Sequence, residues 1–121
     1  MQLVKKTTTK NGISKTYFYL WLRNQKYSAI VDSRIFSIET KEEMSQLLSD
    51  LEDANQKMRI RGGESFSYDR KKYSITTSYK YITIWVKNSA GVLGYVNIGD
   101  NWMTKELSKT IDAVKRAVNV L

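Results

Sequence analysis

Tyr17-Phe18-Tyr19-Leu20-Trp21-Leu22-Arg23-Asn24 and Tyr81-Ile82-Thr83-Ile84-Trp85-Val86-Lys87-Asn88 are the stretches whose reading decides the fold. Laid over each other, they place Tyr, Trp, a basic residue and Asn at matching positions, with apolar residues between. Alternation with a period of two marks a β-strand, because successive side chains leave a strand on opposite faces. In the first stretch Phe18, Leu20 and Leu22 form a purely apolar face that must turn inward, leaving Tyr17, Tyr19, Trp21 and Arg23 outward. In the second, Ile82, Ile84 and Val86 turn inward, leaving Tyr79, Tyr81, Thr83, Trp85 and Lys87 outward.

The sequence around each stretch continues the match. Leu3 to Thr9 meets Ile13 to Leu22 through Lys10-Asn11-Gly12, and Asn-Gly is a strong hairpin signal because both residues tolerate positive φ. In the second half Glu64 to Asp69 and Lys71 to Thr77 take the part of the preceding strands. After the first stretch come two short β-prone runs, Lys26 to Val31 and Arg34 to Ile38, split by the turn residues Asp32 and Ser33. After the second come Ser89-Ala90-Gly91 and then Val92 to Ile98.

Each half then closes with a helix. Thr40 and Glu43 form a capping-box pair, and Met44, Leu47, Leu48 and Leu51 follow as one apolar stripe. A second helix is expected from near Asp100 or Asn101, with Met103, Leu107, Ile111, Val114, Val118 and Leu121 as its stripe. The expected fold is therefore α+β: two ββββα repeats, forming two antiparallel four-stranded sheets packed with two helices. The chain reads as a single domain, 1–121, made of two pseudo-symmetric halves, 1–60 and 61–121, joined at Arg59-Ile60-Arg61-Gly62-Gly63. Either half alone is too small to bury much core.

Composition narrows the chemistry. The 121 residues include no Cys and no His, which removes disulfides, thiolate metal sites, the commonest zinc ligands and the commonest general base. No carboxylate cluster, nucleophile motif or Gly-rich phosphate loop stands out, so a non-enzymatic protein without cofactor or metal is expected. No apolar run is long enough to span a membrane, and the start, Met1 to Lys6, lacks the apolar run of a secretion signal. These features point to a cytoplasmic location.

The net charge of +8 favours a polyanionic partner. The charge is also segregated. Residues 41–58 hold Lys41 and Lys57 against Glu42, Glu43, Asp50, Glu52 and Asp53, a net −3, so the rest of the chain carries +11. The cations concentrate on the strands and turns that carry the aromatic rows. Unpaired bases stack on aromatic faces, worth about 1–3 kcal/mol each, while Lys and Arg follow phosphates. Duplex does not offer its base faces, so the arrangement favours single strands. The candidate nucleic-acid-binding residues are Lys5, Lys6, Lys15, Tyr17, Tyr19, Trp21, Arg23, Lys26, Lys71, Lys72, Tyr79, Lys80, Tyr81, Trp85 and Lys87. The same aromatics would equally serve a subunit interface.

The strand-to-helix stretches Ile35 to Leu47 and Tyr95 to Trp102 resemble the Whirly single-stranded-DNA-binding proteins, whose half-unit is similar to the transcriptional positive cofactor four domain. The resemblance implies binding of single-stranded DNA on sheet surfaces with little sequence preference, and self-association as a dimer or tetramer. With a short, Lys/Asn/Ser/Thr-rich chain that suits a phage or low-GC bacterium, it implies a role in DNA replication or recombination in the (host) cytoplasm. Two other readings compete. One is a protein-interaction module, such as a phage inhibitor of a host enzyme, with the aromatics as an interface hot spot. The other is an RNA-binding or transcription-modulating protein on the same fold, since sequence does not separate RNA from DNA here.

Overall fold

The computed structural model describes residues 2–26, 29–58, 65–87, 93–99 and 105–121; for residues 2, 21–26, 29–36, 87, 93 and 94 it describes the backbone alone. The elements in chain order are β1 (Gln2–Lys10), β2 (Ile13–Lys26), β3 (Ala29–Ile38), α1 (Lys41–Met58), β4 (Ser67–Asp69), β5 (Tyr73–Thr77), β6 (Ile82–Lys87), β7 (Leu93–Ile98) and α2 (Glu106–Val118). They form a three-stranded antiparallel sheet A, ordered β1-β2-β3, and a four-stranded antiparallel sheet B, ordered β4-β5-β6-β7.

The α+β class and the pair of antiparallel sheets follow the sequence reading, but sheet A has three strands where four were expected. The runs Lys26–Val31 and Arg34–Ile38 are parts of one strand, β3, which pairs with an unusually long β2. Asp32 and Ser33, taken from sequence as a turn, sit within the ladder opposite Asn24 and Arg23. Long-range pairing satisfies their backbone groups and overrides the local turn preference. A register shift between Asn24 and Gln25 absorbs the irregularity.

The β1–β2 turn forms as its residues dictate. Asn11 (φ 52°) and Gly12 (φ 78°) join the pair Lys10–Ile13, the pattern of a two-residue type I′ hairpin. Thr40 caps α1, its Oγ1 accepting the Glu43 N–H at 3.1 Å. The return leg of the expected box is replaced, for the Glu43 carboxylate instead accepts from Lys72 at 2.7 Å. The described helix α2 begins at Glu106, later than the expected start, with Lys105 at the N-cap and no side-chain cap hydrogen bond. The expected start at Asp100 or Asn101 and the joint at Arg59–Gly63 lie outside the described residues.

One core joins the two halves. It gathers Phe18, Leu20 and Ile38 from sheet A, Ile75, Ile82, Ile84, Val96 and Ile98 from sheet B, and the apolar stripes of both helices. Full burial of each large side chain stabilises by about 1.5–3 kcal/mol. The two helices pack on each other, α1 against β5 and β6, and α2 against β1, while β2 and β3 meet β7.

The repeat is visible in the register. Leu3 faces Leu20 as Ile75 faces Ile84, and Lys5 faces Phe18 as Thr77 faces Ile82. Leu20 faces Phe36 as Ile84 faces Val96, and Phe18 faces Ile38 as Ile82 faces Ile98. Thus β1, β2 and β3 correspond to β5, β6 and β7, and β4 has no counterpart among the described residues. The β1–β2 hairpin also runs further. Beyond Lys5–Phe18 it adds pairs out to Lys10–Ile13, whereas the second hairpin turns immediately after Thr77–Ile82.

A buried carboxylate fastens α1 to sheet B. Asp50, 2% exposed, accepts two hydrogen bonds from Arg70 at 2.9 Å each, one from the Tyr73 hydroxyl at 2.7 Å and one from Gln46 at 3.0 Å. Burial first, then the bond to Asp50, pushes the Tyr73 phenol far above its ordinary value. Asp53 lower on the helix accepts from Tyr68 of β4 and pairs with Lys57 at 3.0 Å.

Candidate nucleic-acid interface

The β1–β2 ladder decides which candidate residues share a surface, because directly opposed residues in an antiparallel pair project from the same face. The pairs Lys10–Ile13, Thr8–Lys15, Lys6–Tyr17 and Val4–Tyr19 line one face of sheet A. The alternate pairs, Lys5–Phe18 and Leu3–Leu20, lie on the face that carries the core. Lys6 and Lys15 therefore join Tyr17 and Tyr19, while Lys5, though exposed, belongs to the opposite side of the ribbon. Beyond the core the ribbon is exposed on both faces and forms an arm. Ile13 at its tip is 73% exposed, and Thr7–Thr16 and Thr9–Ser14 hydroxyl contacts at 3.3 and 3.0 Å cross it.

At the base of the arm Tyr17 and Tyr19 are half-buried and meet edge to face, with ring centroids 5.2 Å apart and hydroxyls 3.0 Å apart. That hydrogen bond, ahead of partial desolvation, raises the Tyr17 phenol above its ordinary value. The Lys6 ammonium lies 5.7 Å from the Tyr19 ring centre. The arrangement is a fixed aromatic step with a row of exposed cations leading away from it, Lys6, Lys15 and Lys10. Lys10 is one of the strand-and-turn cations of the sequence but was not among the candidate binding residues. Its signal was the even spacing from Lys6, which only matters once the strand is known to continue to the turn.

The second aromatic row is built differently. Trp85 is half-buried, its indole N–H donates to Thr76 Oγ1 at 3.3 Å, and its ring lies 4.9 Å from that of Tyr95, tilted by 38°. Thr83 is buried and donates to Asn97 Oδ1 at 2.6 Å. This face of sheet B, with Ser74 and Asp69 beside it in the register, is hydrogen-bonded; Lys87, which shares it by alternation, has its side chain outside the described residues. Tyr95, 43% exposed, is its most open aromatic and was also missed from sequence. The signal for it was its place opposite Trp85 in the β6–β7 register.

The remaining candidates are scattered. Tyr79, Lys80 and Tyr81 are exposed on the β5–β6 turn, with the Lys80 ammonium 5.4 Å from the Tyr79 ring centre. Ser78 N–H donates to Tyr81 O at 2.9 Å, and Lys80 takes a left-handed φ of 80°. Lys72 is committed to structure, donating to Glu43 at 2.7 Å and to the Ser37 carbonyl at 3.0 Å. Lys71 is exposed and borders a cleft of about 420 Å³ that it shares with Glu42, Glu43, Arg70 and Lys72. Trp21, Arg23 and Lys26 on β2 and Lys87 on β6 have strand backbone, and their side chains lie outside the described residues.

Among the described residues, no group of three or more Asp and Glu side chains is placed to hold a metal ion, and no helix is long and apolar enough to cross a membrane. The protein is thus an α+β chain with two antiparallel sheets and two helices. Comparison with known proteins returns no matching family, curated sequence or solved structure.

Proposed function

We propose that this chain is a non-enzymatic single-stranded nucleic-acid-binding protein that uses the outer face of sheet A. Lys6, Lys10 and Lys15 neutralise phosphates along the arm, and Tyr17 and Tyr19 offer ring surface to a base at its root. The observation that carries the reading is the β1–β2 register, which puts these lysines and tyrosines on one face, in a part of the chain with no Asp or Glu before Asp32. Electrostatic capture by such a face is independent of sequence, and stacking tolerates every base because each has a π-face. Single-stranded DNA bound with little sequence preference, in replication or recombination, is the form of this proposal that the Whirly-like resemblance favours. Self-association and a cytoplasmic setting belong to the same proposal.

The competing reading is a protein-interaction module, and the paired Trp85 and Tyr95 rings on sheet B favour it. Trp and Tyr dominate protein hot spots, and that face offers phosphate no described cation. A titration with labelled oligo-dT, oligo-U and duplex DNA at low salt separates the readings. Quenched intrinsic fluorescence and a gel shift with a single strand are expected. No shift with any of the three would overturn nucleic-acid binding, and a preference for oligo-U would transfer the reading to RNA.

A further inference from the structure

The repeat that relates the two sheets leaves one position filled in sheet B and, among the described residues, without an occupant in sheet A. Strand β4 lies along the outer edge of β5, pairing Ser67–Thr76, Tyr68–Ile75 and Asp69–Ser74. The Thr77 N–H points out of that edge and donates to the Phe66 carbonyl at 3.0 Å. In the repeat, Thr77 corresponds to Lys5 and Ile75 to Leu3. Lys10–Ile13 is the hydrogen-bonded pair that closes the type I′ turn, and bonded and non-bonded pairs alternate along the ladder from there. Leu3, Lys5, Thr7 and Thr9 therefore turn their backbone N–H and C=O groups away from β2. Among the described residues no strand pairs with this edge of β1.

The helices show what such a strand would meet. Shifted by the same 60 residues that relate Ile38 to Ile98, the buried positions Leu47, Asp50, Leu51 and Ala54 of α1 match Leu107, Thr110, Ile111 and Val114 of α2. By the same match, Asp53 corresponds to Ala113 and Lys57 to Ala117. In sheet B, Asp53 accepts from Tyr68 of β4, and the Lys57 ammonium lies 4.3 Å from the Phe66 ring centre. On α2 both positions are alanine, so neither the carboxylate nor the lysine that meets β4 has a counterpart there. Leu3, Val118 and Leu121 are only partly covered. The edge thus offers backbone groups without a strand partner among the described residues, a small apolar patch, and a strand that carries Lys5, Lys6 and Lys10 and no acid. A second copy of β1 would set lysine against lysine across the new ladder, which is unfavourable.

We infer that the outer edge of β1 is a strand-addition site for an extended, acidic segment of a partner protein that carries an apolar or aromatic residue opposite Leu3. Main-chain hydrogen bonds supply affinity in such an addition, and alternate side chains supply specificity. The site is an edge, not the sheet face that holds the phosphate-binding lysines, so it stands apart from the nucleic-acid proposal.

The probe is a fluorescent peptide with the chain's own sequence 64–69, Glu-Ser-Phe-Ser-Tyr-Asp, which has the required acid and aromatic pattern. Its control carries Lys at both acidic positions. Hydrogen exchange of the full chain alone is expected to show fast amides at Lys5 and Thr7, which slow when the peptide is added. The control peptide is expected to bind at least about 10-fold more weakly. Lys5→Pro, which removes an outward donor that an edge strand can lose, is expected to weaken the acidic peptide by a similar factor while leaving oligo-dT binding in place. Protection of Lys5 and Thr7 in the dilute chain alone would overturn the proposal, because the edge would already be occupied. Protection that grows with protein concentration would assign the edge to a second copy and overturn it as well. Equal binding of both peptides, or indifference to Lys5→Pro, would do the same.

Discussion

Replacing Lys6, Lys10 and Lys15 together with Gln removes the described cations from the outer face of the arm and leaves the core untouched. All three are exposed and lie outside the buried cluster, so folding stability is expected to change by less than about 0.5 kcal/mol per site. Each lysine that neutralises a phosphate on a single strand contributes about 0.7 to the slope of log affinity against log salt. The triple substitution should therefore flatten that slope by about 2. Between about 50 mM and about 200 mM salt, the unmodified protein would lose about 20-fold more affinity than the variant. Fluorescence anisotropy of a labelled oligo-dT across a salt series gives both slopes. The control is Lys105, Lys109 and Lys115→Gln, an equal change in net charge at exposed positions on and next to α2. If both triple variants flatten the slope equally, binding responds to overall charge and the arm is not the contact surface. If neither does, the lysines do not touch phosphate. The Lys→Arg triple should restore the original slope, since the phosphate contact requires the charge.

Three further perturbations test the framework that presents this face. Asp50→Ala removes the acceptor shared by Arg70, Tyr73 and Gln46, and urea denaturation should show a loss of about 2–3 kcal/mol. Gly99→Ala would place a Cβ 2.4 Å from the Lys80 carbonyl oxygen, and a loss of about 1–3 kcal/mol is expected in the same assay. Alkaline pH should weaken the fold through Tyr73. Its phenol is held neutral in the folded state, so that stabilisation is complete below the unfolded tyrosine pKa of about 10 and is lost as pH rises above it. The denaturation midpoint should fall between about pH 9 and about pH 11, with a shallower fall in Tyr73→Phe.

What could be read from sequence was whatever local periodicity controls. The apolar faces Phe18–Leu20 and Ile82–Ile84–Val86 are buried as their alternation requires, the Asn11-Gly12 turn forms, and Thr40 starts α1. Features set by distant partners were not legible. Asp32 and Ser33 read as a turn because nothing nearby shows that β2 continues far enough to pair with them. Lys71 and Lys72 are indistinguishable in sequence, yet Lys72 is taken by Glu43 on a remote helix. The two aromatic rows looked equivalent because the overlay matches Tyr17, Trp21 and Arg23 to Tyr81, Trp85 and Lys87. Their neighbours across the ladder differ. Lys6 stands opposite Tyr17 on the first, whereas Ser74 and Tyr95 flank Trp85 on the second.

Among the described residues the arm beyond Lys5–Phe18 has no apolar layer beneath it, and its cross-ladder side-chain contacts beyond Tyr17 are those of threonine and serine. A two-stranded ribbon of this kind is marginal in water on its own. Its opening is therefore a separate equilibrium, with a free energy well below that of the whole domain. Ligand would bind the closed ribbon, and its apparent affinity would scale with the fraction of time the ribbon is closed. Residue 12 then becomes a thermodynamic control point. A substitution that disfavours its positive φ would reduce occupancy by the partner while the melting temperature of the core stays where it was.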